Sequence, residues 1–233
     1  ISGYAANGAI IHYRATPETS KVIKDDSLYL LDSGGQYLEG TTDITRTVHL
    51  GEPTAEQKRH YTLVLKGHLA LSRSIFVQGT CGENLDVLAR TPLWNEFLNY
   101  RHGTGHGVGS FLCVHEGPQR ISQASSGVAL LPGMIVSNEP GLYIDGTYGI
   151  RIENLCLVTE VEHAMAKSSN YGPFYQFEDL TLVPYCKKLI EIDLLSPEDK
   201  QQLKLYYQRI TEQVIPRLSS ELKVWVSNQL TIF

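Results

Sequence analysis

Two histidines, His102 and His106, lie four residues apart in the segment RHGTGHGVG, residues 101–109. On an α-helix this spacing places both rings on one face, which is the arrangement of a paired metal site. Glycine, however, occupies positions 103, 105, 107 and 109, and so many glycines destabilise a helix. The two histidines are therefore not predicted to share a helix face, and their chemical partners have to come from elsewhere in the chain.

Four carboxylates stand in short, strand-like segments: Asp32 in LLDSGG, Asp43 in GTTDITRT, Glu139 in SNEPGLY and Glu153 in GIRIEN. Taken alone, Asp32 is better explained as a turn residue, and the same alternative is open for Asp43. Eleven positions separate these two residues, with three glycines between them. That spacing suits two neighbouring strands that bring both carboxylates side by side.

The other two carboxylates are constrained by their immediate neighbours. Pro140 favours an extended Glu139 and prevents the strand from continuing, so this side chain is expected at a strand end. In the strand-like segment GIRIEN, Glu153 and Arg151 share one face and the two isoleucines share the other. A surface ion pair is the alternative for Glu153, but the apolar residues that follow favour a buried face.

Four carboxylates gathered in an apolar setting repel one another and resist ionisation. Two divalent cations would balance four negative charges, and His106 would add a nitrogen ligand. This is the chemistry of a two-metal hydrolase, in which the ions share an activated water. Oxygen-rich ligands with one imidazole suit manganese, cobalt, iron or zinc.

The strands that must position these residues are predicted from their hydrophobic patterns. The segment 1–16 is predicted to be a hairpin that turns at Asn7-Gly8, and 27–50 to be two strands joined by a glycine-rich turn. Further strands are predicted within 133–143, 149–161 and 177–185. Each half of the chain thus offers strands that bear acidic residues, although no internal repeat is strong enough to prove a duplication.

Three helices are predicted, over 54–76, over 83–98 with a kink or break at Pro92, and from 197 to about 218. Two of them carry apolar stripes: Tyr61, Val64, His68, Leu71 and Ile75 in the first, and Leu203, Tyr206, Ile210 and Val214 in the last. His68 is interpreted as a core histidine with satisfied hydrogen bonds rather than as a ligand.

The composition is that of an ordinary globular protein, with 233 residues, 42% hydrophobic and 19% charged. One domain is predicted, because no change of composition marks a linker. A net charge of −5 does not suggest a nucleic-acid surface, and no apolar run approaches the ~20 residues of a membrane helix. The four widely spaced cysteines are expected to be reduced thiols of a cytoplasmic protein. The start at Ile1, without a methionine or signal peptide, leads us to expect a fragment or processed form that has lost its targeting information.

Five segments in this order resemble the metallopeptidases of the pita-bread fold, and in detail the aminopeptidase P group: LLDSGGQYLEGTTDITRT, RHGTGHGVG, VHEGP, SNEPGLY and GIRIEN. The resemblance covers Ile1 to about Ile190, and the tail after Asp193 fits less closely. It implies an α+β fold, with a curved, mostly antiparallel sheet, helices outside it and two pseudo-symmetric halves. It also implies that the family's N-terminal domain or domains are missing here, so that 1–233 is a single catalytic domain with a helical tail from 194.

The resemblance assigns a role to each candidate ligand. Asp32 would bind one metal ion, Asp43 and Glu153 would bridge both, and His106 and Glu139 would complete the site of the other. Glu139 would also hold the bridging water or hydroxide and accept its proton. The expected cofactors are two divalent ions, Mn²⁺ first, with cobalt, zinc or iron as alternatives.

The resemblance also assigns residues that act on substrate. His12, His102 and His115 match the substrate-handling histidines of the family, and Arg151 matches an arginine near the bridging carboxylates. The implied activity is removal of an N-terminal residue that precedes proline, from peptides, by a cytoplasmic protein that forms a homodimer at full length. No nucleic acid or membrane is expected as a partner.

Other functions remain open on the sequence alone. Prolidase and methionine aminopeptidase share the same chemistry. A non-catalytic peptide- or protein-binding module and a metal-free, creatinase-like amidinohydrolase share the fold, but the complete set of ligand residues argues against both. The segment GTGHGVG does not fit the GxGxxG dinucleotide pattern, and HEGP at His115 does not fit the zinc-protease pattern HExxH.

Overall fold

Antiparallel strand pairs form the sheets of the structure, a computed structural model that describes residues 1–110 and 113–231. The strands are β1 (Ser2–Tyr4), β2 (Leu28–Gln36), β3 (Thr41–His49), β4 (Ile75–Val77), β5 (Gly105–His106), β6 (Arg120–Ile121), β7 (Ile135–Asn138), β8 (Gly141–Ile144), β9 (Tyr148–Arg151), β10 (Asn154–Glu160) and β11 (Phe174–Asp179). The α-helices are α1 (Ala55–Ser72), α2 (Gly82–Trp94), α3 (Ala164–Lys167), α4 (Pro197–Gln213) and α5 (Ser220–Gln229). The predicted α+β class with antiparallel sheets is confirmed.

Two larger sheets carry the architecture. The first has the order β1-β2-β3, and the second has the order β4-β11-β10-β7. Two short pairs, β5 with β6 and β8 with β9, are formed by strands that lie between β4 and β10 in the chain. The long hairpin β2-β3 is closed by a turn in which the main-chain N–H of Tyr37 donates to the carbonyl of Gly40 at 2.9 Å.

The predicted hairpin at Asn7-Gly8 is wrong, because residues Ala5–Ala9 form a 3₁₀ helix and β1 pairs with β2. The Asn7 side chain explains the difference. It is buried, and its Nδ2 donates to the hydroxyl of Tyr13 and to the carbonyl of Thr19, both at 2.9 Å. These longer-range bonds draw the dipeptide into the interior instead of leaving it in an exposed turn.

Three predicted elements end at other residues than expected. Helix α1 ends at Ser72, because Ile75 is exposed and starts the short strand β4, which pairs with β11. Helix α2 ends at Trp94, two residues after Pro92, instead of continuing to position 98. The last predicted strand, 177–185, corresponds to β11, which starts three residues earlier and ends at Asp179.

The C-terminal segment contains more helix than predicted. Helix α4 ends at Gln213, a 3₁₀ turn at Ile215–Arg217 follows, and α5 comes after it. The predicted stripe is confirmed for Leu203, Tyr206 and Ile210, which are buried in the larger hydrophobic cluster beneath α1. This cluster attaches the C-terminal helices to the back of the sheets.

The two larger sheets are joined at one seam between β3 and the β9–β10 segment. The main-chain N–H of Glu153 donates to the carbonyl of Thr45 at 3.0 Å, and that of Arg151 donates to the Thr47 hydroxyl at 3.1 Å. Strands that belong to distant parts of the chain therefore meet edge to edge. Among the residues that the structure describes, none of the helices combines the length and apolar character needed to cross a membrane.

His68 is fully buried in α1, and the prediction of a satisfied core histidine is confirmed. Its Nδ1–H donates to the carbonyl of Asn138 at 3.1 Å, and its Nε2 accepts from the hydroxyl of Tyr185 at 3.1 Å. This arrangement requires the neutral ring, and burial lowers the pKa of His68 to about 4.

His68 makes the stability of the fold depend on pH. Between the ordinary histidine pKa of about 6.5 and the folded value of about 4, the unfolded chain binds a proton that the folded chain does not. The free energy of unfolding therefore falls as the pH falls through this window. His68→Gln should lower that free energy at pH 7 by about 1–3 kcal/mol. The variant lacks this titrating proton. The slope of its free energy of unfolding against pH, between the two pKa values, should therefore be smaller than that of the wild type by ~1.4 kcal/mol per pH unit. Chemical denaturation at several pH values measures both, and parallel curves for the two proteins would contradict the assignment.

Candidate active site

A cavity of about 640 Å³ lies at the seam between the sheets. All nine residues predicted to form the site line it: His12, Asp32, Asp43, His102, His106, His115, Glu139, Arg151 and Glu153. This volume is in the range of sites that bind small ligands and short peptides. The structure thus brings together every candidate that the sequence indicated, from segments more than 100 residues apart.

The β2-β3 hairpin supplies two of the carboxylates. Asp43 lies opposite Gly34 and Asp32 lies opposite Thr45, so the two acids are diagonal neighbours across the strand pair. Because residues two apart on a strand point to the same side, both carboxylates face the cavity. Asp43 is buried and Asp32 is half-buried. The predicted side-by-side placement on neighbouring strands is confirmed.

The second half of the chain supplies the other two. Glu139 follows β7 at the strand end that Pro140 enforces, and its main-chain N–H donates to the carbonyl of Thr104 at 2.7 Å. Glu153 lies between β9 and β10, with 2% of its surface exposed. One of its carboxylate oxygens accepts a 2.7 Å hydrogen bond from the hydroxyl of Thr45. The β2-β3 hairpin therefore orients Glu153, a carboxylate from the second half of the chain.

His106 stands on the two-residue strand β5, in the segment whose glycines argue against a helix. Its Nδ1–H donates to the carbonyl of Gly107 at 2.8 Å, so Nε2 is the nitrogen that is turned toward the carboxylates. Nε2 lies 3.4 Å from a carboxylate oxygen of Asp43 and 3.4 Å from one of Glu139. A Cβ on Gly105 would overlap the carbonyl oxygen of Ser137, so glycine is required for this close approach.

Three of these side chains could hold one metal ion. Asp43, His106 and Glu153 each offer a ligand atom, and these atoms lie within 4.8 Å of one another. The set combines two carboxylate oxygens with one imidazole nitrogen, which suits Mn²⁺, Co²⁺, Fe²⁺ and Zn²⁺. Glu139 and Asp32 stand at the margin of this group, Glu139 beside His106 and Asp32 on the neighbouring strand β2. The donor set fits divalent cations.

The electrostatics of the cavity favour bound cations. Burial and the charge of Glu153 raise the pKa of Glu139 well above its usual range. Burial and the charges of Asp43 and Asp32 raise the pKa of Glu153. Burial opposes a charged His106, but the carboxylates of Asp43 and Glu139 outweigh it and raise the pKa of that ring. The protein alone thus holds protons where ions of higher charge would replace them.

A chain of hydrogen bonds connects Asp32 through Arg151 and Tyr143 to His102. Arg151 donates through Nη2 to the Asp32 carboxylate at 2.6 Å and through Nη1 to the Tyr143 hydroxyl at 2.9 Å. The Tyr143 hydroxyl lies 2.9 Å from Nε2 of His102. The buried face that the sequence favours for Arg151 and Glu153 is confirmed, and Arg151 pairs with Asp32 instead of forming the alternative surface ion pair with Glu153.

The three remaining histidines stand at different depths. The ring nitrogens of His102 contact Tyr143 and the carbonyl of Gly103, and burial lowers the pKa of His102 to about 4. His115 is exposed, its ring centroid lies 4.2 Å from that of His106, and burial together with His106 lowers its pKa. His12 is exposed in a turn at the mouth of the cavity. Of the three, His115 and His12 have the freest access to a ligand.

Sequence reasoning missed the groups that hold the segment 101–109, with His102 and His106, in place. Arg90 of α2 forms a buried ion pair with Asp86 at 2.6 Å and donates to the carbonyls of Tyr100 at 2.6 Å and His102 at 2.8 Å. The hydroxyl of Thr104 donates to Asp86 at 2.6 Å. The segment that carries both histidines is thereby fixed to α2. The spacing of four between an acid and a base in a predicted helix was the available signal.

Two family models match the chain. Residues 1–160 match the model of metallopeptidase family M24, and residues 173–231 match the model of the C-terminal region of that peptidase family. The tail after Asp193, which is expected to fit the family less closely, lies within the second match and so belongs to the family pattern as well. The unpredicted helix α5 lies within this C-terminal region.

Individual proteins give the same picture. A probable Xaa-Pro aminopeptidase P of Tuber melanosporum is 53% identical over 216 residues, which are 91% of this chain and 34% of that protein. The X-prolyl aminopeptidase of Caenorhabditis elegans superimposes with a TM-score of 0.92 and 37% identity, over 99% of this chain and 38% of that one. Prolidase from Pyrococcus furiosus superimposes with a TM-score of 0.61 and 33% identity, over 67% of this chain and 45% of that one.

The chain spans about a third of the length of the curated relatives that it matches. Its motifs occur in the expected order, and its sheets agree with the predicted pita-bread fold over nearly the whole chain. The chain belongs to metallopeptidase family M24, and within it resembles the aminopeptidase P members.

Proposed function

We propose that this chain is the catalytic domain of a metal-dependent aminopeptidase that removes an N-terminal residue preceding proline. One observation carries the proposal: four carboxylates and the free nitrogen of His106 converge on a single cavity large enough for a short peptide. The relatives support the choice of substrate. One is named a probable Xaa-Pro aminopeptidase P, and the C. elegans enzyme is described as cytosolic with a di-nuclear active site.

Two divalent ions are part of the proposal, with Mn²⁺ as the first choice. Asp32 would hold one ion, Asp43 and Glu153 would bridge both, and His106 with Glu139 would complete the other site. When bound, the ions would activate a water molecule and polarise the peptide carbonyl. The same donors also accept cobalt, zinc and iron, so availability decides the native metal.

The protein's own side chains supply proton transfer and orientation. Glu139, whose pKa is raised by burial, would take a proton from the attacking water and pass it to the leaving nitrogen. That nitrogen belongs to proline and carries no hydrogen in the peptide, so it has to receive a proton to leave. His115, beside His106 and open to the cavity, can donate to the oxygen on which charge develops.

The inner chain from Arg151 to His102 orients the site. Arg151 occupies one oxygen of Asp32 and leaves the other free to bind an ion. His102 has both nitrogens committed inside the protein, and we propose that it acts through Tyr143, with direct substrate contact only after that bond opens. His12, exposed at the mouth of the cavity, would meet the part of the peptide that follows proline.

The alternatives differ in substrate or in metal. A prolidase would share the site, but the structural match to the P. furiosus prolidase extends over two thirds of the chain, against nearly all of it for the C. elegans aminopeptidase. A metal-free binding module or amidinohydrolase has no use for this ligand set. The single-domain organisation of 1–233, the cytoplasmic location and the homodimer at full length stay predictions.

A panel of four peptides tests the substrate. The full-length protein with Mn²⁺ is assayed on an Xaa-Pro-Yaa tripeptide, its Xaa-Ala-Yaa counterpart, the Xaa-Pro dipeptide and a methionyl peptide without proline. We expect release of the first residue from the proline tripeptide, with kcat/KM at least about 100-fold above each other peptide, a difference of ~2.7 kcal/mol in transition-state binding. Better turnover of the dipeptide or of the methionyl peptide would replace this assignment with prolidase or methionine aminopeptidase.

A pair of variants separates metal ligands from residues that act on substrate. Glu153→Gln keeps the size of the side chain but removes a bridging charge, so it should lose at least one equivalent of Mn²⁺ and lower kcat by about 1,000-fold or more. His115→Ala should lower kcat by about 10²–10³-fold with metal content unchanged.

Metal content is measured by elemental analysis of the folded proteins, and kcat by steady-state assay. Near-normal turnover in Glu153→Gln would contradict its bridging role. Loss of metal in His115→Ala would identify that residue as a ligand instead.

A further inference from the structure

Arg46 is a buried cation on β3, 8% exposed, that lies behind the cavity. Within residues 1–110 and 113–231, its hydrogen bonds go to neutral acceptors and to no carboxylate. The acceptors are the carbonyls of Thr45, Glu153, Val183 and Pro184, the side-chain oxygen of Asn154 and the hydroxyl of Tyr206. A charge so deeply buried and so fully bonded to backbone fixes the segments that surround it.

An amide connects this cation to a buried anion. Arg46 Nη2 donates to Asn154 Oδ1 at 2.8 Å, and Asn154 Nδ2 donates to Asp179 Oδ1 at 3.0 Å. Asp179 also accepts from the Ser72 hydroxyl at 2.8 Å. The three side chains form a relayed ion pair that joins β3, β10 and β11, and through Ser72 also α1.

Helix α4 reaches the same network through Tyr206. Its hydroxyl lies 3.1 Å from Arg46 Nη2, accepts from the main-chain N–H of Val183 at 3.1 Å and donates to a carbonyl of the same segment at 3.0 Å. The Tyr206 ring stacks on Tyr185 with centroids 4.9 Å apart, and the guanidinium of Arg46 lies 4.8 Å from the Tyr185 ring centroid. Helix α4 thus helps to hold the guanidinium in place.

The network ends on the candidate bridging residue. Arg46 Nη1 donates to the carbonyl of Glu153 at 2.7 Å and to the carbonyl of Thr45 at 2.9 Å. Thr45 in turn donates from its hydroxyl to the Glu153 carboxylate at 2.7 Å. The backbone and the side chain of Glu153 are therefore both fixed to β3, the strand that carries Asp43.

We propose that Arg46, held by Asn154 and Tyr206, is a positioning residue that sets the separation of Asp43 and Glu153, so that helix α4 forms part of the support of the metal centre. The inference rests on the proposed function, in which these two carboxylates bind metal. Carboxylates that face one another drive their strands apart. The guanidinium of Arg46 bonds to the carbonyl of Thr45 on β3 and to the carbonyl of Glu153 in the facing segment, and so opposes that movement. Lysine cannot replace it, because an ammonium lacks the planar fork that reaches two carbonyls and an amide at once.

Neighbouring tyrosines on α4 provide a matched pair of variants. Tyr206→Phe removes a hydroxyl that bonds Arg46 and the 181–183 segment. The hydroxyl of Tyr207 is also buried, and its ring also packs on Tyr185, but in the described part of the chain it has no hydrogen-bond partner. Tyr207→Phe therefore removes the same atom from the same helix and breaks none of the hydrogen bonds of the network. Arg46→Lys tests the guanidinium itself.

The experiment measures metal binding on the folded full-length protein, well below its melting temperature. Mn²⁺ affinity and stoichiometry come from titration calorimetry, and the visible absorption of Co²⁺ reports the ligand geometry. We expect Mn²⁺ to bind about tenfold more weakly to Tyr206→Phe and up to about 100-fold more weakly to Arg46→Lys. The Co²⁺ spectrum should change in both, and Tyr207→Phe should match the wild type.

Each other outcome is decisive. Wild-type affinity and spectrum in Tyr206→Phe overturn the proposal, whether or not Arg46→Lys folds. Equal weakening in both tyrosine variants would show that α4 acts through packing alone, which also overturns it. A wild-type protein that binds neither ion would refute the proposed function itself, a failure that this titration distinguishes from a defect confined to the variants.

Discussion

Repulsion among buried carboxylates is the constraint on which the rest of this structure depends. Asp43, Glu139 and Glu153 share one cavity with Asp32, and burial together with their mutual charges raises the pKa of the two glutamates. Left to itself, such a group would separate or bind protons. The fold holds it together, and divalent cations at its centre would offset the repulsion.

The scaffold meets this constraint by attaching each acid to a different rigid element and then joining the elements behind the cavity. Asp32 and Asp43 stand on one hairpin, and Glu139 and Glu153 stand at strand ends in the other half. The seam between Thr45 and Glu153 joins the two halves. Three buried arginines complete the support from different sides: Arg151 against Asp32, Arg46 against the seam, and Arg90 against the histidine segment.

Much of this arrangement was predictable, for reasons that differ between residues. Asp32 and Asp43 could be placed on neighbouring strands because glycines mark the turn between them, and Glu139 at a strand end because proline follows it. His68 could be assigned to the core because it falls on an apolar helical stripe. Eight of the nine residues that meet in the cavity lie in the five ordered motifs, and the resemblance added His12, whereas their individual roles in binding and catalysis stay predictions.

What the sequence did not reveal depends on contacts between distant segments. Asn7 and Gly8 have the composition of a hairpin turn, but the bonds of Asn7 to Tyr13 and Thr19 override that local preference. Arg46 looks like a solvated charge on a β-strand, and only the approach of Asn154 and Tyr206 makes it a buried clamp. Local pattern reports which residues prefer a strand or turn, while these features follow from tertiary packing.

The central claim is that Asp43 and Glu153 bridge two metal ions. The most direct measurement is a crystal structure of the full-length protein grown with Mn²⁺, using anomalous diffraction at the manganese edge. The account predicts two anomalous peaks in the cavity, with Asp43 and Glu153 each in contact with both ions and His106 bound to one of them. An empty cavity in crystals that hold manganese elsewhere, or a single ion that either carboxylate fails to contact, would contradict it.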